Sequence, residues 1–358
     1  MRIPWIYTAP YKTIGGYSRY VQNLLKYLAS SIGMVGVSPA PNVRHFIKLP
    51  VRPGIPKFSA LVNLTYFYLY TRLRRLSLLH YPAQNHYFDF FKADHYVITI
   101  HGLSCLYVKE DRSILPSLNR IKVKISKLDR IVTVSCHAKE DIIKFFKVPE
   151  EKIEVIYNCC DRRIFNENEK PHEKEYLQAK YKIKTPYFLH VSSGAPKKNV
   201  PFILDAFSKL PKDITLVLAG LPPERYVFLK RLCTYKGLSN VKLLPNILSD
   251  EDLAMLYRQS LAFILPSKHE SCPFVLIEAL SCGKLCIVSE KTSLPEIAEN
   301  AAIYIDINNP GELSEVLRDI IKGKYNLFNR RGINLVKKKY NPQTFAKKHL
   351  NIYKELLE

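Results

Sequence analysis

Residues 266–279 read PSKHESCPFVLIEA and place two carboxylates, Glu270 and Glu278, on either side of a helix start. Pro273 suits the first helical position, where a missing N–H costs nothing, and Gly283 suits the position just past the end. The spacing therefore predicts a helix over about 273–282. Glu270 falls in the entry loop. Glu278 falls inside the helix behind Val275, Leu276 and Ile277, an apolar run that reads as buried, so its carboxylate needs polar partners against desolvation. Ribose hydroxyls would serve. The backbone around Ser271, Cys272, Pro273, Phe274 and Val275 faces the helix entrance, where the dipole favours an anion by roughly 0.3–1 kcal/mol. Two glutamates at this spacing also fit an ordinary exposed helix face. What favours a ligand is the strand LAFIL (261–265) upstream, because it puts Glu270 at a carboxyl edge, where open parallel sheets bind small molecules.

Working outward, near-continuous apolar strands alternate with helical segments: RIPWIY (2–7), HYVITI (95–100), RIVTV (130–134), YFLHV (187–191), ITLVLA (214–219) and LCIVS (285–289). Strands of this kind between helices indicate parallel sheets covered on both faces. A chain of 358 residues, 47% hydrophobic, exceeds what one core usually supports. The fold class is thus α/β, with two doubly wound Rossmann-like domains at 1–170 and 175–340. Charge is dense and apolar periodicity lapses over 162–185, which reads as the linker. The final segment, 341–358, has Asn341 to cap it, Pro342 in its first turn and apolar residues at helical spacing. No internal repeat or low-complexity tract is visible.

Formal net charge is +22, and the first 88 residues hold eleven Lys or Arg and no Asp or Glu. That asymmetry asks for an anionic partner. FSALVNLTYFYLYTRLRRL (58–76) joins an aromatic stretch to Arg72, Arg74 and Arg75; it is too short and too soon interrupted to span a bilayer, which needs about 20 apolar residues. It fits an interfacial helix on an anionic membrane surface, or else a helix whose aromatics fill a core while its arginines are solvated. Nucleic acid is not expected, since no zinc spacing, RNA-binding aromatic motif or helix-turn-helix pattern accompanies the charge. MRIPWIYTAP lacks the apolar core and cleavage site of a leader, so the expected location is cytoplasmic, peripheral on the inner membrane face if the basic quarter binds lipid. The eight cysteines include no C-x-x-C pair and read as buried small side chains, with a disulfide as the lesser alternative.

Several stretches together resemble the retaining glycosyltransferases of family 4, the group 1 type with GT-B fold. The paired glutamates of 266–279 carry its signature. PYFLHVSSGAPKKNVPFILDAFSKL (186–210) is similar to its strand, phosphate loop and lysine, with Lys198 on the diphosphate-binding position. LSDEDLAMLYRQSLAFILP (248–266), SLPEIAENAAI (293–303) and VTVSCHAKEDIIKFFKVPEEKIEVIYNCCD (132–161) resemble flanking segments. Before residue 95 the likeness is held by GGYSRYVQNLLKYL (15–28) and LLHYPAQN (78–85). It covers about 130–320 well. Where the family often has glycine and then arginine or a small hydroxyl, this chain has Ser192 and Ser193, leaving Lys197 as the nearest cation for a second phosphate contact.

The resemblance implies two domains facing each other across a cleft. The first would take the acceptor, with the C-terminal helix 341–358 packing back on it; the second would take a nucleotide sugar. It implies Glu270 on sugar hydroxyls, Glu278 on the ribose, Lys198, Lys197, Ser192, Ser193 and the 271–275 backbone around the diphosphate, and His101 on the sugar. Gly15 and Gly16 follow the first strand and let backbone approach a ligand closely. Cations and N–H groups can stabilise a leaving diphosphate without metal. The triad Asp250, Glu251 and Asp252 spells D-x-D, a metal signature in another fold, but reads better as a helix start capped by Ser249 or Asp250. The expected activity is metal-independent, cofactor-free transfer of a sugar from a nucleotide sugar to a glycan or lipid-linked hydroxyl, with retention, and with domain closure excluding water. The alternatives are a nucleotide-sugar epimerase of similar fold and a non-catalytic basic membrane-binding subunit. Choice of base and sugar should depend on the backbone near Leu244 to Ile247.

Overall fold

A computed structural model describes residues 4–7, 15–36, 45–48, 56–245 and 248–358; Asn246 and Ile247, implicated above in base selection, lie outside the described residues, as do Arg2 and Ile3 of the first expected strand. The chain divides into two compact units, 1–159 with 342–358, and 160–341.

The first unit contains β1 (Pro4–Tyr7), α1 (Gly16–Leu28), β2 (Gly33–Gly36), β3 (His45–Lys48), α2 (Pro56–Leu73), β4 (Leu76–Tyr81), β5 (Ala93–Ile100), α3 (Leu115–Lys124), β6 (Arg130–Thr133), α4 (Cys136–Phe146) and β7 (Ile153–Val155). Its seven strands are all parallel in the order β3-β2-β1-β4-β5-β6-β7. The order reverses between β1 and β4, which makes their carboxyl ends the crevice of the sheet. Tyr7, Phe67, Tyr81 and Phe91 build an aromatic core beneath it, with Phe67 and Phe91 centroids 4.5 Å apart. The α2 stretch contributes to that core, as one of its two sequence readings expects. Phe67 is buried, whereas Tyr66, Leu69 and Leu73 are exposed.

The second unit contains α5 (Glu173–Tyr181), β8 (Tyr187–Val191), α6 (Val200–Phe207), β9 (Thr215–Leu221), α7 (Pro223–Tyr235), β10 (Val241–Pro245), α8 (Asp250–Gln259), β11 (Phe263–Leu265), α9 (Phe274–Ser281), β12 (Cys286–Ser289), α10 (Leu294–Ala298), β13 (Ile303–Ile305), α11 (Pro310–Ile321) and α12 (Arg330–Lys339). Its six strands are parallel in the order β10-β9-β8-β11-β12-β13, reversing between β8 and β11. Leu189, Phe263, Ile264 and Leu265 are fully buried, as strands covered on both faces must be.

The expected linker at 162–185 is corrected. The boundary falls between Cys159 and Cys160, earlier than the expected 170 to 175, and the charged stretch is part of the second unit. Glu173, at the start of α5, is buried against Arg258 of α8, whose Nε lies 3.1 and 3.0 Å from the two carboxylate oxygens. Its charge is a packing device. Arg162 likewise donates to the Ser281 carbonyl and hydroxyl at the end of α9, at 3.2 and 3.1 Å.

The last helix, α13 (Pro342–Leu357), belongs to the first unit and buries Phe345, Ile352 and Tyr353, the apolar face expected from the spacing. At the centre of that face sits a histidine, His349, fully buried. The hydrogen bonds around it have one consistent direction. His349 Nδ1–H donates to the Phe345 carbonyl (2.8 Å), so Nε2 accepts from the Tyr20 hydroxyl (2.8 Å). Tyr20 then accepts from Thr99 Oγ1 (2.9 Å), which accepts from His80 Nε2–H (2.8 Å), and His80 Nδ1 accepts from the Tyr353 hydroxyl (2.6 Å). Every member is satisfied while both imidazoles are neutral.

This arrangement has a pH consequence. Burial pushes His349 down to about 4 and His80 well below the ordinary histidine value, with His349 itself adding to the lowering of His80. Below about pH 6.5 the unfolded chain takes up protons that the native unit does not, so stability falls with pH, by up to about 1.4 kcal/mol per pH unit for each such group. For His349 the loss is confined to the interval from about 6.5 to about 4, and its upper part lies above the range where carboxylates titrate. Urea denaturation followed through Trp5, the single tryptophan of the chain, should give a lower midpoint at pH 5 than at pH 7.5. An unchanged midpoint would contradict the neutral relay.

Candidate active site

The site is built on the two strands that flank the switch point of the second sheet. After β8 the chain turns through Ser192, Ser193 and Gly194 into a short 3-10 turn, Pro196–Lys198. After β11 it turns through Pro266–Cys272 into α9. The Lys268 N–H donates to the Lys197 carbonyl (2.8 Å) and so ties the two loops together.

Across this junction Lys198 Nζ lies 2.6 Å from Glu270 Oε1, and the Ser267 hydroxyl donates to the same oxygen at 2.7 Å. Both side chains are largely shielded, at 16% and 8% exposure for the lysine and the glutamate, so the pair is formed away from bulk water. Burial alone would raise the Glu270 carboxyl, but the Lys198 ammonium and Ser267 hydroxyl outweigh it and hold the group below its usual range. Glu270 Oε2 accepts no hydrogen bond from any described residue. The sequence assigned Lys198 and Glu270 to different parts of a ligand; the structure brings them into contact with each other.

The main chain of Glu270 is held as firmly as its side chain. Its N–H donates to Thr292 Oγ1 (3.0 Å) and its carbonyl accepts from Ser293 Oγ (3.0 Å), while Ser289 Oγ donates to the Ser267 carbonyl (2.6 Å). These hydroxyls lie at the end of β12 and in the turn before α10. Sequence reading missed them, because Ser and Thr in a turn are normally credited to the turn itself.

Helix α9 begins at Phe274 with Pro273 as its cap residue, one position later than expected. First-turn amides such as those of Phe274 and Val275 have no intrahelical acceptor and face the loop. Gly283, at φ +70, ends the helix: its N–H bonds the Leu280 carbonyl and the Lys284 N–H bonds that of Ala279, so the left-handed turn supplies the caps. Glu278 is buried, and Tyr257 donates to its Oε2 at 3.3 Å.

Ser192 is spent on the shape of its loop. His190 Nδ1–H donates to the Ile264 carbonyl across the switch point (2.8 Å), so its Nε2 accepts from Ser192 Oγ (2.7 Å), which in turn accepts from the Gly194 N–H (3.0 Å). Its hydroxyl proton is therefore directed inward, contrary to a direct role of that side chain on a phosphate. Ser193 is exposed and Lys197 half-buried.

In the first unit, His101 follows β5 and is half-buried. Its Nε2–H donates to the Pro82 carbonyl (2.8 Å) and its backbone N–H to Gln84 Oε1 (3.0 Å), so Nδ1 keeps the lone pair. Burial pushes the imidazole down to about 4, and the rings of Tyr17 and Tyr20 stand edge-on at 4.8 and 4.6 Å. Gly15, at φ +111, and Gly16 open α1 with no atom of a described residue within 4 Å of where a Cβ would stand.

The D-x-D carboxylates are disposed as a helix start. Ser249 Oγ accepts the Asp252 N–H (3.0 Å), and the Asp252 carboxylate is taken by Lys180 Nζ and the Tyr181 hydroxyl, each at 2.7 Å. Among the described residues no group of three or more His, Cys, Asp or Glu side chains is placed to hold a metal. Seven of the eight cysteines are buried and Cys136 is exposed.

Two doubly wound units, one carrying a cation and a carboxylate beside a helix entrance at its switch point, define an α/β protein with charged groups gathered where open sheets bind ligands. Comparison with known families agrees. The profile for "Glycosyl transferases group 1" matches residues 173–339 and that for "Glycosyltransferase Family 4" matches residues 14–163. The chain belongs to the group 1 glycosyltransferases. Over 203 residues it is 27% identical to the serotype-specific mannosyltransferase WbdA of Escherichia coli, covering 54% of this chain and 24% of that protein. It is also 27% identical over 233 residues to the O-antigen chain mannosyltransferase B of Escherichia coli, covering 61% of this chain and 59% of the other. The chain thus spans less than two thirds of either relative. Among solved structures, the Anabaena protein HepE, determined in complex with UDP-glucose, has a TM-score of 0.80 at 16% identity and covers 99% of this chain and 100% of that one. At that identity the likeness is one of fold.

Proposed function

We propose that this protein transfers a sugar from a nucleotide-sugar donor to a glycan or lipid-linked hydroxyl, with retention and without a metal. The observation that carries the reading is the Lys198–Glu270 pair, set between the two switch-point strands beside the entrance of α9. In that reading Lys198, with Lys197 and the 271–275 backbone, takes the diphosphate. Glu270 accepts from sugar hydroxyls and Glu278 from the ribose. His101 is assigned to the sugar as a neutral imidazole rather than a base. The bond from the anomeric carbon to the leaving phosphate oxygen breaks as the acceptor oxygen attaches on the same face, and the acceptor's proton passes to that phosphate oxygen. Charge accumulating on the diphosphate meets a cation and helix-start amides already in place, which is where such sites gain most. Metal independence is supported by the Asp252 carboxylate of the D-x-D being taken by Lys180 and Tyr181 in the packing of α8 rather than standing at the switch point.

The basic first quarter is proposed to meet an anionic membrane that presents the acceptor. Exposed Tyr66, Leu69 and Leu73 share α2 with Arg72, and Arg72 lies 5.1 Å over the Tyr68 ring. Among the described residues no helix is long and apolar enough to cross a membrane.

Thermal denaturation against UDP, GDP, ADP and their sugar conjugates, without and then with magnesium, tests the donor site. A ligand at a hundredfold excess over its Kd adds about 2.7 kcal/mol to native stability. One nucleotide family should raise the transition without metal. A shift only with magnesium would overturn metal independence, and no shift with any would favour a non-catalytic membrane-binding subunit.

A further inference from the structure

Thr292 stands at φ +55, in the left-handed region, and of the six non-glycine residues at positive φ among the described residues it alone is β-branched. A branched Cβ makes that conformation unfavourable, and a glycine would adopt it freely. Nothing local explains the choice. The hydroxyl does not cap α10, whose cap residue is Ser293 and whose start has no side-chain cap bond. Its hydrogen bond instead crosses 22 residues to the backbone N–H of Glu270. Strain of this kind persists only where the surroundings enforce it, and it gathers at functional sites.

Resting on the reading of Glu270 as the sugar-contacting carboxylate, we propose that Thr292 is a positioning residue for it. The threonine hydroxyl accepts the Glu270 N–H, and Ser293 Oγ donates to the carbonyl of the same residue. With both ends of the residue fixed, the Cα–Cβ direction is set, and the carboxylate is delivered to Lys198 and Ser267 through Oε1 alone. The other oxygen is left for a substrate hydroxyl. A glycine would satisfy the turn but leave the Glu270 N–H to water and its side chain free to swing.

The test compares Thr292→Gly, Thr292→Ser and Glu270→Ala with the parent. Release of nucleoside diphosphate is measured from whichever of UDP-glucose and GDP-mannose gives the larger thermal shift. Thr292→Gly should lower kcat by about 10- to 100-fold, the scale of a small misplacement of a reacting group. Its affinity for the nucleoside diphosphate alone should be unchanged, and its melting temperature should stay within about 4 °C of the parent. Thr292→Ser, which keeps the acceptor oxygen, should recover most of the turnover. Thr292→Ala, read the same way, carries the test if the glycine variant does not fold. Parent-like turnover in Thr292→Gly beside a silent Glu270→Ala would overturn the positioning role alone. A serine variant as slow as the glycine one would do the same. Parent-like turnover in Glu270→Ala would overturn the reading of the site and the inference with it.

Discussion

Glu270→Ala is expected to lower kcat for sugar transfer by about 10²- to 10³-fold, the usual effect of removing one preorganised group from a site of developing charge. Binding of the nucleoside diphosphate should survive, and should tighten. Lys198 is held by Glu270 at 2.6 Å, so an incoming diphosphate must draw the ammonium away from a carboxylate. Without that carboxylate the ammonium has only the diphosphate to serve. Turnover and product affinity should therefore move in opposite directions, which a simple loss of fold cannot produce. Glu270→Gln separates charge from shape: an amide oxygen can still accept from Lys198 and Ser267, so the loops stay joined while the negative charge is gone. Its kcat should fall between parent and alanine. Steady-state kinetics with calorimetric titration of the nucleotide decide the matter, and an alanine variant within a few-fold of the parent in kcat would remove Glu270 from the chemistry.

The places of Glu270 and Glu278 in an entry loop and a buried helix were legible in the sequence because the features beside them are local, whereas Lys198 was singled out only by the family resemblance of 186–210. A strand end, a proline at a helix entrance and a glycine past its exit all lie within residues 265–283. Buried strands such as YFLHV were equally plain, since burial on both faces leaves a continuous apolar run. Other strands were not read: β2, β3, β7 and β13 have only three or four residues, and β4 and β10 carry polar residues within them. The remaining misses share one cause, a polar residue whose partner is remote in sequence. Glu173 looked like linker charge because Arg258, 85 residues on, is invisible locally. His349 carries no signal of its own, because what makes it a core residue is Tyr20, at a separation of 329. Thr292 is legible as a turn residue, but its service to Glu270 is not.

Glu173→Ala should destabilise the second unit by about 3–5 kcal/mol, the penalty for stranding one half of a buried ion pair. Side-chain exposure is 5% for Arg258 and 2% for Glu173, and a guanidinium cannot escape by losing its proton. Alanine would leave Arg258 with the Asn166 carbonyl, 3.2 Å away, as its remaining acceptor from the 160–181 segment. The charge would have to be rehydrated by opening α5 away from α8. The carboxylate's own titration points the same way. Burial would raise it, but Arg258 and Gln259 hold it below its ordinary value, so its contribution is present above about pH 4.5 and lost as pH falls through the lowered folded-state value. Calorimetry should show a transition lowered by on the order of 10 °C at pH 7. Replacing both partners, as in Glu173→Leu with Arg258→Met, should cost far less, because no charge is then left without a partner. Below the transition the alanine variant should keep kcat, since Glu173 packs α5 against α8 and takes no part at the switch point. A loss of turnover in fully folded protein would mean that the α5–α8 contact also shapes the glutamate loop.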